Sequence, residues 1–159
     1  MRQMIRFSLV AAVLVFVLLP GAPSSVPAAD KDGIWEAELG KVKDLNEKEP
    51  TLVKAVFRDD DGVVMDVEKI FVRWERINSD TGRWVVLSAI CTYLKCLLEY
   101  DESDQCFHCP CFESVFDLEG HVLRGKAKDD LPDYSDLVEE REIPKSDDKL
   151  LVLTREAEE

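Results

Sequence analysis

From Thr51 the chain settles into a period of two, with Leu52, Lys54 and Val56 on one side and Val53, Ala55 and Phe57 on the other. Such alternation predicts a half-buried strand. The acidic turn Asp59-Asp60-Asp61-Gly62 ends it, and VVMDVEKIFVRWERI supplies the next strand. NSDTG then reads as a turn, and RWVVLSAI is a third apolar run, rich in β-branched residues, that delivers Cys91 at its end. Farther on, VFDL and HVLRG are separated by Glu119-Gly120, which predicts a tight hairpin with glycine at a positive backbone angle. A loop with Pro132 and Asp133 follows, and LVEEREI and KLLVLT close the domain. No convincing amphipathic helix, repeat or low-complexity tract is present. The pattern predicts an all-β antiparallel domain of roughly eight to ten short strands.

The ends read differently. Two arginines, Arg2 and Arg6, precede FSLVAAVLVFVLL, a run of 13 largely apolar residues that stops at Pro20 and Gly21. A spanning helix needs roughly 20 apolar residues, so residues 1–29 are expected to be a signal peptide, with a retained N-terminal membrane anchor as the alternative. Val26-Pro27-Ala28 suits cleavage after Ala28 or Ala29. Residues 30–50, with Trp35 and Leu39 as isolated apolar anchors, read as a polar linker or arm; 51–155 form the β domain, and 156–159 an acidic tail. About 130 exported residues suit one domain with one core. The expected location is exported, periplasmic or otherwise extracytoplasmic, with membrane contact only through a retained N-terminal segment or a partner.

Charge narrows the partners. The chain has 20 Lys and Arg against 33 Asp and Glu, a net charge of -13, and loss of the two signal arginines takes it to -15. That field repels phosphate backbones, which argues against nucleic acid, and would attract a basic protein; a solvated, solubilising surface explains most of the charge equally well. A glycine-rich phosphate loop, a nucleophile elbow and a His-Glu-x-x-His pattern are all missing from the sequence, so no enzymatic activity of its own is expected.

All five cysteines lie between Cys91 and Cys111, in CTYLKC at 91–96 and in CFHCPC at 106–111. An oxidising compartment makes them candidates for disulfides as well as metal. Cys106 and Cys109 form a CxxC, a common zinc half-site, but no second CxxC accompanies it. His108 precedes Cys109 directly in strand-like sequence, so the two side chains would point to opposite faces. His108 and His121 are both expected to serve packing rather than ligation.

CTYLKC, the following CPCFESVFD and the hairpin EGHVLRG together resemble the two cluster-binding loops of the Rieske iron-sulfur family, over roughly residues 50–155. The resemblance implies a Rieske-like antiparallel β-sandwich with two cysteine-bearing loops at one tip. In that family two cysteines hold one iron of a [2Fe-2S] cluster and two histidines the other. The ligand cysteines correspond to Cys91 and Cys109, and Cys96 and Cys111 stand where many respiratory members have a disulfide. The histidine positions are Tyr93 and Phe112. The family glycine after the first of these is Lys95, and the covering loop is GKAKDD, without its proline.

Phenylalanine offers no donor atom, and a phenol with a reference pKa near ~10 is a poor ligand for this iron. The resemblance therefore implies a subunit of an extracytoplasmic electron-transfer (respiratory) assembly that has lost the conventional centre. Its role would be structural or in contact with a partner such as an electron-transfer complex or cytochrome, with no cofactor. Without the cluster, Cys91 and Cys109 would also come within reach of each other as a second disulfide, leaving Cys106 as the odd thiol. The alternative is an electron-transfer or metal-binding protein in which Cys91 and Cys109, with Cys106 as a further ligand, hold a cysteine-ligated iron-sulfur cluster or zinc. A third reading is a thiol-disulfide protein using Cys106 and Cys109. Tyr93 and Phe112 would either pack together in the vacated place or form an exposed aromatic patch.

Overall fold

The computed structural model describes residues 33–45 and 48–156. The signal or anchor expected at 1–29 and residues 157–159 of the acidic tail lie outside the described residues. Two antiparallel sheets carry the fold. The larger contains β1 (Ile34–Lys41), β2 (Thr51–Arg58), β3 (Val64–Arg76), β4 (Gly82–Ser88), β9 (Val138–Glu142) and β10 (Lys149–Glu156) in the order β4-β3-β2-β1-β10-β9. The smaller runs β5 (Glu99–Asp101), β6 (Cys106–His108), β7 (Val115–Phe116) and β8 (Val122–Arg124) in chain order. Two short 3-10 turns, Val42–Asp44 and Ser135–Leu137, are the only helical pieces among the described residues. No helix there is long and apolar enough to cross a membrane.

The large sheet curls around its own core. Ala37, Leu39, Ala55, Phe57, Ile70, Val72, Val86, Leu151 and Leu153 point to one buried cluster. Residues 132–135 lie along the outer edge of β4, where Ser88 N–H donates to the Pro132 carbonyl at 2.9 Å and Tyr134 N–H to that of Val86 at 2.8 Å. An edge covered in this way is closed to pairing with another chain. The indole N–H of Trp84 reaches Glu140 of β9 at 3.0 Å, joining the two ends of the sheet.

β3 and β4 are buried on both faces, which accounts for the unbroken apolar runs IFV and WVVL. Their other face, with Phe71, Val85 and Leu87, packs on Phe107 and Phe116 of the small sheet. Phe71 and Phe107 stack with ring centroids 4.5 Å apart. Arg73 fastens the β7–β8 turn to the large sheet, donating to the Leu118 carbonyl at 3.2 Å and to Glu119 at 2.8 Å. Gly120, at φ 90°, occupies that turn against Leu87 and Leu131.

The linker reading of 30–50 is corrected by β1. Residues 34–41 pair with β2 on one side and β10 on the other, with Ala37 opposite Leu153. Trp35, Ala37 and Leu39 face the core while Glu36 and Glu38 face out. The segment reads as polar because its inward positions are few and one is only alanine; its neighbours come from other parts of the chain and bury what it has. The domain therefore starts by Ile34, not Thr51.

Candidate functional site

The two cysteine loops leave adjacent parts of the fold and are built on one plan. In the first, Cys91 N–H donates to the Cys96 carbonyl at 2.8 Å and Lys95 N–H to that of Cys91 at 3.0 Å; in the second, Cys109 N–H donates to the Ser114 carbonyl at 2.8 Å and Glu113 N–H to that of Cys109 at 3.1 Å. Each loop turns through a left-handed residue four positions after its first cysteine, Lys95 at φ 58° and Glu113 at φ 56°. Neither is glycine.

A third segment, 124–129, clamps both loops. Gly125 sits at φ 106°, and a Cβ there would lie 2.4 Å from the Ser114 backbone, so only glycine lets the strand end approach the loop. The buried Ser114 hydroxyl accepts the N–H groups of Lys126 at 3.1 Å and Ala127 at 3.0 Å. Thr92 Oγ1 donates to the Asp129 carbonyl at 2.7 Å and holds the first loop to the same segment.

Four of the five sulfurs meet at this tip. Cys96 and Cys111 are joined by a disulfide that links the loops, with Cα atoms 6.5 Å apart. Beneath it lie the free thiols of Cys91 and Cys109, 0% and 3% exposed. Cys109 Sγ is within 4.8 Å of both disulfide sulfurs. Cys91 and Cys109 lie in one buried cluster, and the backbone N–H groups of Tyr93 and Leu94 favour the anionic form of the Cys91 sulfur. Burial pushes the Cys91 thiol above its ordinary value, outweighing the opposite pull of those N–H donors.

Tyr93 and Phe112 pack edge to face, with centroids 5.3 Å apart. Tyr93 is 44% exposed and its neighbour Leu94 53%, so the two outcomes open in the sequence coexist: the rings fill a common place and present an aromatic surface. Lys126 Nζ lies 5.6 Å from the Phe112 ring centre.

Cys106 and the histidines sit elsewhere. Cys106 and His108 share one face of β6, opposite the buried Phe107. The Cys106 thiol donates to the Asp104 carbonyl at 3.3 Å. Burial, followed by the charges of Asp104 and Asp117, raises it, so it is not primed as a nucleophile. No group of three metal-ligating side chains among the described residues contains Cys106, and it is not brought to Cys91 and Cys109 as a further ligand. His108 does not fill an apolar slot, since its Nε2 lies 2.8 Å from Asp104 Oδ2. His121 likewise stands in solvent beside Asp117 at 3.2 Å, and that hydrogen bond raises its pKa.

The donors at the tip do not fit a cluster of two thiolates and two imidazoles. Two thiols are present, but the other side offers a phenyl ring and an exposed phenol packed against each other. The nearest sulfur triplet, Cys96, Cys109 and Cys111, is no better a metal cage, because two of its members are bonded to each other and carry no thiolate. Sequence reading missed the clamp of Ser114 and Gly125; both carried a signal only as a serine and a glycine near turns.

The family model for the Rieske [2Fe-2S] domain matches residues 36–135. A cytochrome b6-f complex iron-sulfur subunit of Chlorobaculum thiosulfatiphilum is 26% identical over 130 residues, covering 81% of this chain and 64% of that protein. The ubiquinol-cytochrome c reductase iron-sulfur subunit of Bradyrhizobium diazoefficiens is 34% identical over 58 residues, covering 36% of this chain and 33% of its own length. The chain thus spans less than two thirds of the length of these relatives. Among solved structures, the cyanobacterial plasma membrane Rieske protein of Synechocystis PCC 6803 matches 72% of this chain and 96% of its own at 23% identity, with a TM-score of 0.44.

Proposed function

Because the chain belongs to the Rieske [2Fe-2S] domain family, we propose that it is an exported subunit of an extracytoplasmic electron-transfer assembly that works through contact with a partner rather than through a conventional [2Fe-2S] centre. The carrying observation is the pair Tyr93 and Phe112, ring against ring where the family places its imidazole ligands. The same substitution removes the groups that would exchange protons there and leaves an aromatic surface at the tip, of the kind enriched at protein interfaces. The kinship with cytochrome b6-f and ubiquinol-cytochrome c reductase subunits supports a membrane complex, with a cytochrome among its subunits, as the partner.

Anaerobic purification of the protein from its native host tests this. Expected are less than stoichiometric iron and zinc, a visible spectrum without sulfur-to-iron bands, and co-fractionation with a haem-containing membrane complex. Stoichiometric iron with charge-transfer bands overturns the clusterless reading. A chain that never fractionates with such a complex overturns the assembly.

A further inference from the structure

The proposed partner contact leaves the sulfurs unused, and their arrangement is not that of a simple staple. A disulfide reaches the surface through the exposed Cys111 and half-buried Cys96. Beneath it are two buried free thiols, Cys91 and Cys109, in the same packed cluster. Cys109 is the contact between the layers, within 4.8 Å of both disulfide sulfurs. We infer that these four cysteines form an internal two-electron thiol-disulfide relay, in which the outer pair, Cys96 and Cys111, and the inner pair, Cys91 and Cys109, exchange oxidation state within the folded domain. This rests on the reading that Cys91 and Cys109 hold no cluster.

The exchange balances without an added reagent. Cys109, once its proton is lost to solvent, attacks one sulfur of the Cys96–Cys111 bond. A new bond to Cys109 forms, the old bond breaks, and the displaced sulfur leaves as a thiolate that takes up a proton. Cys91 then gives up its own proton and attacks the Cys109 sulfur, forming Cys91–Cys109 and releasing the second outer sulfur, which is protonated in turn. Two electrons and two protons have passed from the inner pair to the outer pair. The Tyr93 and Leu94 N–H groups stabilise the Cys91 sulfur while it is anionic. The reduced outer pair stands at the exposed tip, where a disulfide of a partner protein can reoxidise it by the same exchange and itself become a dithiol. Cys106 has no part in the sequence, since it faces away on β6 beside Asp104.

The test uses the full chain with Cys106→Ser, which removes the spare thiol, and the unaltered chain beside it. Each is equilibrated under native conditions in glutathione buffers poised so that about one disulfide per chain remains, then acid-quenched, alkylated and mapped by tandem mass spectrometry. Both pairings, Cys96–Cys111 and Cys91–Cys109, are expected. In Cys91→Ser the inner disulfide should be replaced by a crossed bond from Cys109 to Cys96 or Cys111. Recovery of Cys96–Cys111 alone at every poise, with Cys91 and Cys109 alkylated only after denaturation, overturns the relay. Iron and zinc are determined on the native-host protein in parallel. Stoichiometric metal overturns the underlying clusterless reading, whereas a metal-free chain locked in one pairing overturns the relay alone.

Discussion

Lys95 and Glu113 hold backbone angles that an L side chain adopts at a cost of about 1–2 kcal/mol, which glycine escapes at the expense of a floppier unfolded chain. Lys95→Gly is therefore expected to raise stability by roughly 0.5–1 kcal/mol, read as a higher urea midpoint at unchanged slope. A lower midpoint would mean that the lysine side chain contributes something the loop geometry does not reveal. His121 gives a second residue-scale outcome. Its pKa is raised in the folded state by the Asp117 hydrogen bond, so the pairing adds stability that is full below the ordinary histidine pKa and fades as pH rises through the folded value. Removing it with His121→Gln should lower the urea midpoint at pH 5.5 and have a smaller effect at pH 8.5. Equal effects at both would exclude the ion pair. That positions 93 and 112 carry no imidazole was legible in the sequence, because it is a question of residue identity. Whether the rings stack or face solvent was not, since that depends on how the separate loops at 91–96 and 109–114 close on each other.

At the scale of elements, the site is held by a strand end pressed against a loop. Gly125→Ala places a methyl carbon 2.4 Å from the Ser114 backbone at a positive φ, so it should cost about 3 kcal/mol or more and loosen the tip. Ser114→Ala strands the buried N–H of Ala127, at about 1–3 kcal/mol, and frees the part-buried N–H of Lys126 at a smaller cost. Both variants should speed alkylation of Cys109 in the folded protein; if protection of Cys109 is unchanged, the clamp does not seal the tip. The strands from 51 to 90 were readable because their alternation is long and apolar on the inner side. β1 was not, although Trp35, Ala37 and Leu39 keep the same period. Its outward side is charged, with Glu36 bound by Arg141 of β9 at 2.9 Å, and only tertiary pairing shows those charges to be the solvent face of a central strand.

The whole molecule is strongly acidic, and from net charge alone its partner should be basic. The distribution says otherwise at the tip. Arg73, Arg83, Arg141 and Arg155 in the large sheet are each tied to carboxylates. Lys95, Arg124, Lys126 and Lys128, around the cysteine loops, make no ion pair among the described residues, and Lys126 turns to the Phe112 ring instead. Glu113, Asp129 and Asp130 lie beside those four cations, so the tip is close to neutral, and a domain with a strongly acidic body and a near-neutral end has a dipole that orients it on approach, tip first, to a negative surface. If the tip is the docking face of the proposed assembly, reversing Arg124, Lys126 and Lys128 to glutamate should slow association with the haem-containing complex by about tenfold or more at low salt, with the difference shrinking as salt screens it. Reversing the same number of exposed lysines on the body, such as Lys54, Lys69 and Lys145, should leave the rate within about twofold, because the charges that steer are those nearest the contact. Equal slowing by both sets would reduce the effect to net charge and would place the contact away from the tip.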